Sequence, residues 1–326
     1  MTIEVWTWPE LCQLAGSPAK ARGLVKHKQV WRVLHGVYAG SEHPDTPEVR
    51  LAALEKILPD DIALAGRAAL WVLGVDVLGL DGVLDVALPR GRNLRPREGL
   101  AFRAMEVPDS ELVEVGRLLV VSPARVIIDT ARREPITEAV ALGDAVLRRG
   151  LTTLESIEES LDRAQGLRGV VAARALLPHL EPRSESLMES RLRLTLVLGG
   201  VPRPEAQVDF YDRHGVHLGR GDLHLDGAVF EYDGFAEHTA KTGFGHERRR
   251  GNSLSEGGLE VRRFSSDDYY RKPHALIVGT AMRALRAAAG RAGSVSVLRG
   301  PDTLRRPKLT PPLTRDRLKQ SQRKAA

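Results

Sequence analysis

Apolar positions along this chain fall into helical and alternating runs, separated by glycine, proline and capping residues. "PEVRLAALEKIL" (47–58) carries its apolar side chains three and four apart and predicts an amphipathic helix. Helices are also predicted over "WPELCQLAG", "PAKARGLVKH", "PITEAVALGDAVLRRG", "LTTLESIEESLDRA", "SLMESRLRLTLVLGG" and from His274 onward. Stop and start signals flank them: Gly16 after the first, Ser17 as an N-cap for the second, Gly199 and Gly200 after the "SLMES" helix. Short apolar runs in "VLDVALPRG", "RLLVVSP", "EAQVDFY" and "LEVRRFSS" predict strands.

Taken in order, these elements predict an α/β chain in four parts. Residues 1–45 read as a winged helix-turn-helix, two short helices followed by the ribbon "QVWRVLHGVYAG" turning at Gly36, or equally as a small helical cap whose basic face is only solvated. Residues 46–181 read as a mixed α/β middle domain, and 182–290 as an endonuclease-like domain of helix, three strands, helix, strand and helix. Residues 291–326 read as a basic, disordered tail rich in proline. The middle domain and the residues just before it offer no nucleophile with a base and an orienting group, since His43, Ser122 and His179 are scattered, and no phosphate-cradling glycine motif.

The stretch "GRGDLHLDGAVFEYDG" (219–234) carries the chemistry. Asp226-Gly227 between alternating flanks is the strongest short hairpin signal. Counting outward pairs Leu225 with Ala228, His224 with Val229, Leu223 with Phe230 and Asp222 with Glu231. One face then carries Leu223, Leu225, Ala228, Phe230 and Tyr232; the other carries Asp222, Glu231 and Asp233, with Arg220 and His224 nearby. Like charges opposite one another cost roughly 0.2–1 kcal/mol per pair, so the trio calls for a positive partner. A hard divalent cation, Mg2+ or Mn2+, suits carboxylate oxygens and can turn bound water into a nucleophile against phosphorus. The alternative is a solvated polar face on which Arg220 bridges the acids. Glu189 has capping-box spacing from Ser186 and is equally placed to lean over the acids as a further ligand. His238 has two readings: a surface histidine, or a group that orients water or protonates a leaving oxygen. Of Arg248, Arg249 and Arg250, at least one faces solvent, leaving the others for a phosphate or for the acids.

Composition narrows the setting. The 326 residues are 42% hydrophobic with one cysteine, Cys12, which excludes a disulfide framework and a cysteine-rich zinc site. No apolar run reaches the length that spans a bilayer and "MTIEVWTWPE" is not a signal peptide, so a cytoplasmic protein without a membrane partner is expected. The net charge of +6 is unevenly spread. Residues 299–326 hold nine Lys/Arg against two Asp/Glu, a net +7 that leaves −1 for all the others. A second cluster, Lys20, Arg22, Lys26, Lys28 and Arg32, has no acid among it, which points to a polyanion such as DNA.

The quoted segments resemble known families. "MESRLRLTLVLGGVPRPEAQ", "GRGDLHLDGAVFEYDG", "HERRRGNSL" and "VRRFSSDD" look like the nuclease-like domain related to very-short-patch-repair endonucleases, in the PD-(D/E)XK superfamily, over roughly residues 184–285. Upstream, "VWRVLHGVYAG" and "VVSPARVIIDTA" resemble abortive-infection antitoxin proteins with a winged-helix domain. The resemblance implies a restriction-endonuclease-like sheet flanked by helices, Asp222 and Glu231 as metal ligands with Glu189 as third acid, and DNA as partner. It departs from the superfamily at the catalytic lysine position two after Glu231, which is Asp233; Lys241 or His238 are the candidates for that role, and Glu247 is the acid before the arginine cluster. Two functions follow as expectations: a Mg2+-dependent DNA endonuclease in phage defence or DNA repair, or a DNA-binding repressor or antitoxin with an inactive nuclease domain. A toxin or other protein partner belongs to the second.

Overall fold

The computed structural model describes residues 3–77, 83–233, 253–291 and 297–299. They form a mixed α/β protein with one three-stranded and two five-stranded sheets, divided between two compact units. One unit takes residues 3–129 with 155–163; the other takes 130–154 and the described residues from 164 onward.

The first unit opens with β1 (Val5–Thr7), α1 (Trp8–Ala15), α2 (Pro18–Lys26), β2 (Val30–Leu34) and β3 (Val37–Gly40). Gly16 ends α1 in the left-handed conformation, and the Ser17 hydroxyl accepts the Lys20 N–H to start α2. The strands form an antiparallel sheet in the order β1-β3-β2, packed with α1 and α2 around Leu11, Ala21 and Val30. After α3 (Pro47–Ile57) comes a mixed sheet in the order β6-β5-β4-β8-β7, built from β4 (Ala63–Leu64), β5 (Leu84–Leu88), β6 (Leu100–Ala104), β7 (Leu112–Val115) and β8 (Leu118–Val121). The helices α4 (Gly66–Val72) and α5 (Pro123–Ala131) belong to the same part of the chain. Glu111, 1% exposed, accepts hydrogen bonds from Arg125 (2.6 Å) and from Ser160 (2.6 Å). That ties α7 (Leu154–Arg163) to this unit across a long separation in sequence.

The second unit holds α6 (Ile136–Arg148), α8 (Val170–Arg174), α9 (Leu187–Leu198), β9 (Glu205–Asp212), β10 (His217–Leu225), β11 (Ala228–Asp233), β12 (Glu260–Ser265), α10 (Ser266–Tyr270), α11 (His274–Ala289) and β13 (Val297–Arg299). Its sheet runs β12-β11-β10-β9-β13, antiparallel except between β11 and β12. Leu192 and Leu196 of α9, Ile277 and Ala281 of α11, and Leu223, Phe230 and Phe264 of the sheet make one core. Val208, Phe210 and Val229 pack with Leu254 and Leu259 in another. Residues 297–299, expected in the unstructured tail, instead pair with β9 as an edge strand; short edge strands carry too little apolar pattern to be read from sequence.

No helix among the described residues is long and apolar enough to cross a membrane.

Candidate functional site

The hairpin forms in the expected register. Asp226 (φ 45°) and Gly227 (φ 78°) supply the two positive φ angles of a tight two-residue turn. Leu223 then pairs with Phe230, His224 with Val229 and Leu225 with Ala228. The face carrying Leu223, Ala228 and Phe230 lies in the helix-covered core, with Leu225 and Tyr232 packed against it.

The acidic face is not a polar surface of the sheet. Alternation along β11 puts Val229 and Glu231 on the same side, and Val229 is fully buried among Val208, Phe210, Leu254 and Leu259. Glu231 is 3% exposed. Its cation is Arg263, whose Nε lies 2.9 Å from Oε2, because the parallel pairing of β11 with β12 sets Glu231 beside Arg263. Arg220 does not bridge these acids as the polar-face alternative had it. It makes a two-pronged pair with Asp209 (3.1 and 2.9 Å) and approaches Glu185 at 3.6 Å. Asp209 also receives His217 at 2.9 Å, and its carboxyl is held below the usual range, first by Arg220.

Asp222 is half-buried at the point where β10 stops pairing with β11, and its Oδ2 accepts the Tyr232 N–H at 3.0 Å, standing in for a main-chain acceptor. The residue before it must be small: a Cβ on Gly221 would meet Val229 Cγ1 at 2.7 Å and Phe210 Cε2 at 3.3 Å. Across β9, Asp222 falls in the row of Gln207, between the pairs Gly221–Val208 and Leu223–Ala206.

Glu189 joins that row from α9. Ser186 accepts its N–H at 3.1 Å, so half of the capping box is present. The carboxylate does not close the box on Ser186. Its Oε2 accepts the Glu185 N–H at 2.8 Å and the Gln207 side-chain amide at 2.7 Å. Burial pushes the Glu189 carboxyl up, against the pull of those donors. Gln207 is itself 5% exposed and holds φ at 55°, a conformation a non-glycine residue adopts only where its surroundings demand it. Glu189, Gln207, Asp222 and Glu231 thus follow one another across α9, β9, β10 and β11. Asp233 is exposed at the end of β11, in register with Ser265.

The donor set suits a hard divalent cation in kind, being three carboxylates and an amide with no thiolate. Among the described residues, however, no three His, Cys, Asp or Glu side chains converge closely enough to hold an ion. Each of the three acids is engaged by a protein donor instead. His238, Lys241, Glu247, Arg248, Arg249 and Arg250 lie outside the described residues. At the N-terminus, Lys20, Arg22, Lys26, Lys28 and Arg32 are all exposed, and Arg32 approaches Glu98 at 3.4 Å.

Gln207 and Arg263 were not singled out in the sequence. Gln207 stands in a run that reads as strand and gives no sign of its positive φ. Arg263 follows from the parallel β11–β12 pairing, which no local signal announces.

No family model matches the chain. It is similar to two Mycobacterium tuberculosis proteins, uncharacterized proteins MT2308 and Rv2248. Each is 32% identical over 269 residues, covering 81% of this chain and 95% of the relative. The crystal structure of the RV2827C protein from Mycobacterium tuberculosis aligns with 54% of this chain and 76% of its own, at 21% identity and a TM-score of 0.35, a likeness too slight to carry an argument. By its identity and coverage, this chain belongs to the family of Rv2248 and MT2308.

Proposed function

We propose that the protein is a Mg2+- or Mn2+-dependent DNA endonuclease, with a restriction-endonuclease-like C-terminal domain and an N-terminal winged helix that holds DNA. The observation that carries the reading is the Glu189–Gln207 bond of 2.7 Å. It ties a buried helix carboxylate into the strand row of Asp222, next to the strand that bears Glu231. Glu189, Asp222 and Glu231 would hold the ion, and a bound ion of this kind activates water and neutralises charge developing on phosphorus. Gln207 fixes the Glu189 carboxylate. The Tyr232 N–H orients Asp222. Arg263 neutralises Glu231 while no cation is there, so metal binding and the Arg263 pair compete for one carboxylate. Asp233 and His238 tune the water. Arg248 and Arg249 meet phosphate, as do Lys20, Arg22, Lys26, Lys28 and Arg32.

A second reading has one observation in its favour: Glu231 is already neutralised by Arg263. In that reading the protein is a DNA-binding repressor or antitoxin, with a toxin or other protein as partner and an inactive nuclease domain.

The test is relaxation of supercoiled plasmid by the wild-type protein, Asp222→Ala and Glu231→Gln, with Mg2+, Mn2+ or a chelator. The endonuclease reading expects metal-dependent relaxation by wild type, reduced to the chelator background in both variants. Background relaxation in every tube, with DNA still retarded in gels, selects the binding protein.

A further inference from the structure

Four arginines lie in the stretch "PRGRNLRPRE" (89–98), the connection between β5 and β6. Arg90, Arg92 and Arg95 are exposed and Arg97 is half-buried. This connection is pinned to the β2–β3 turn. Arg97 Nη1 donates to the His35 carbonyl at 3.0 Å. Glu98 approaches Arg32 at 3.4 Å and His35 at 3.8 Å. A Cβ built on Gly36 would lie 3.9 Å from Arg97 Nη1. Arg97 and Glu98, with Arg95 two residues before Arg97 in the chain, are therefore anchored at the turn that follows Arg32 of β2.

Exposed arginines alone make a solvated surface; the distribution of charge argues for more. Residues 20–35 carry +5 and residues 89–98 carry +3. With the +7 of residues 299–326 also set aside, the remaining residues of the chain sum to −9. Positive charge is thus concentrated in two segments of the first unit, joined at Arg97 and the β2–β3 turn, in a chain that is otherwise acidic. Arg92 is partly spoken for by Asp61, at 3.1 Å; for Arg90 and Arg95 such segregation is what a closely spaced row of phosphates selects.

We propose that the connection 89–98 extends the nucleic-acid surface of the first unit, so that the phosphates of one duplex are met both by α2 and β2 and by Arg90 and Arg95. The inference rests on the reading that this unit binds DNA, and names the part of the surface which that reading leaves out. Arg97 is the positioning residue, since it holds the connection against the turn.

The experiment is a fluorescence titration of a labelled 30-base-pair DNA duplex with the full chain, repeated between about 50 and 200 mM salt, a range over which phosphate contacts change affinity strongly. Two double variants are compared with wild type: Arg90→Ala/Arg95→Ala in the connection, and Lys20→Ala/Arg22→Ala in α2. Each lost phosphate contact lowers the slope of log affinity against log salt by about 0.9, so the connection variant is expected to lose about 1.8 and bind roughly tenfold more weakly at 0.15 M. A slope unchanged in the connection variant but lowered in the α2 variant overturns this inference and leaves the DNA reading standing. No change in either overturns both. A lowered slope in the connection variant alone supports this surface and removes α2 from it. Should the double variant fail to fold, Arg95→Lys and Arg95→Glu replace it: the first is expected to keep the slope and the second to lose it, and equal slopes overturn the inference. Binding to phosphatidylglycerol vesicles that the variant abolishes, with duplex binding untouched, assigns the surface to lipid and overturns it as well.

Discussion

Glu231 is a carboxylate at 3% exposure whose cation, Arg263, sits on the neighbouring strand with a side chain 35% exposed. Such a pair contributes little net stability, but removing one partner takes from the buried charge the compensation that the pair supplies. Arg263→Ala is therefore expected to destabilise the metal-free protein by about 1–3 kcal/mol, below the figure for a fully buried pair because water reaches the guanidinium. If a dication uses Glu231, the same substitution removes its competitor. Melts with and without Mn2+ then separate the two effects: the variant is expected to lose stability in chelator, to regain much of it in Mn2+, and to bind Mn2+ more tightly than wild type by calorimetry. An equal loss in both buffers with unchanged Mn2+ affinity would leave Arg263 as a structural partner only. Gln207 offers a control at the same scale. Gln207→Ala deletes the donor to Glu189, whose carboxyl burial already pushes up, and is expected to cost about 1–3 kcal/mol with Arg263 untouched.

At the scale of elements, the short helix α10 shows how one capping arrangement responds to pH. Asp268 accepts from both the N–H and the hydroxyl of Ser265, at 2.9 and 2.8 Å, and pairs with Lys272 at 2.6 Å. Those donors, Lys272 first, hold its carboxyl down to about 2, against an ordinary value of 3.8. A folded-state value below the unfolded one means that the stabilisation is full above pH 4 and fades as pH falls toward 2. Asp268→Asn is expected to lose about 0.5–1 kcal/mol at pH 7, the usual worth of a cap, and nothing near pH 2. Denaturant melts across that range check it; a constant difference at every pH would show that geometry, not charge, does the capping. Such local devices were legible in the sequence: the Asp226-Gly227 turn, the Gly16 stop and the Ser17 cap all rest on neighbours a few residues apart. What escaped depends on distant partners. The two-residue β4 and the three-residue β13 hold too few positions to show a period. The cover over the acidic face comes from Leu254 and Leu259, more than twenty residues beyond Glu231. The tie from Glu189 goes to Gln207 rather than to its own cap because β9 passes beside the helix start, which capping-box spacing does not encode.

Over the whole molecule, charge is the property that elements do not explain one by one. The chain carries +6, and residues 300–326 hold eight Lys/Arg against two Asp/Glu, so without them the rest is neutral. A neutral body with local basic clusters attracts a polyanion only at short range, because mobile ions screen exposed charges beyond about 8 Å at physiological salt. The net +6 of residues 300–326, a sequence rich in proline, adds to that attraction and is expected to raise the encounter rate. Deleting residues 300–326 is expected to slow association with duplex DNA at 50 mM salt and to lower the salt slope by about 0.9 for each tail cation that meets a phosphate. The described residues, and with them the Glu189–Gln207–Asp222–Glu231 row, should keep their stability. Stopped-flow association rates, with melts of the shortened protein, separate steering from folding. A rate and slope equal to those of the full chain would leave DNA attraction to Arg248 and Arg249 and to the clusters at residues 20–35 and 89–98, which carry eight net positive charges.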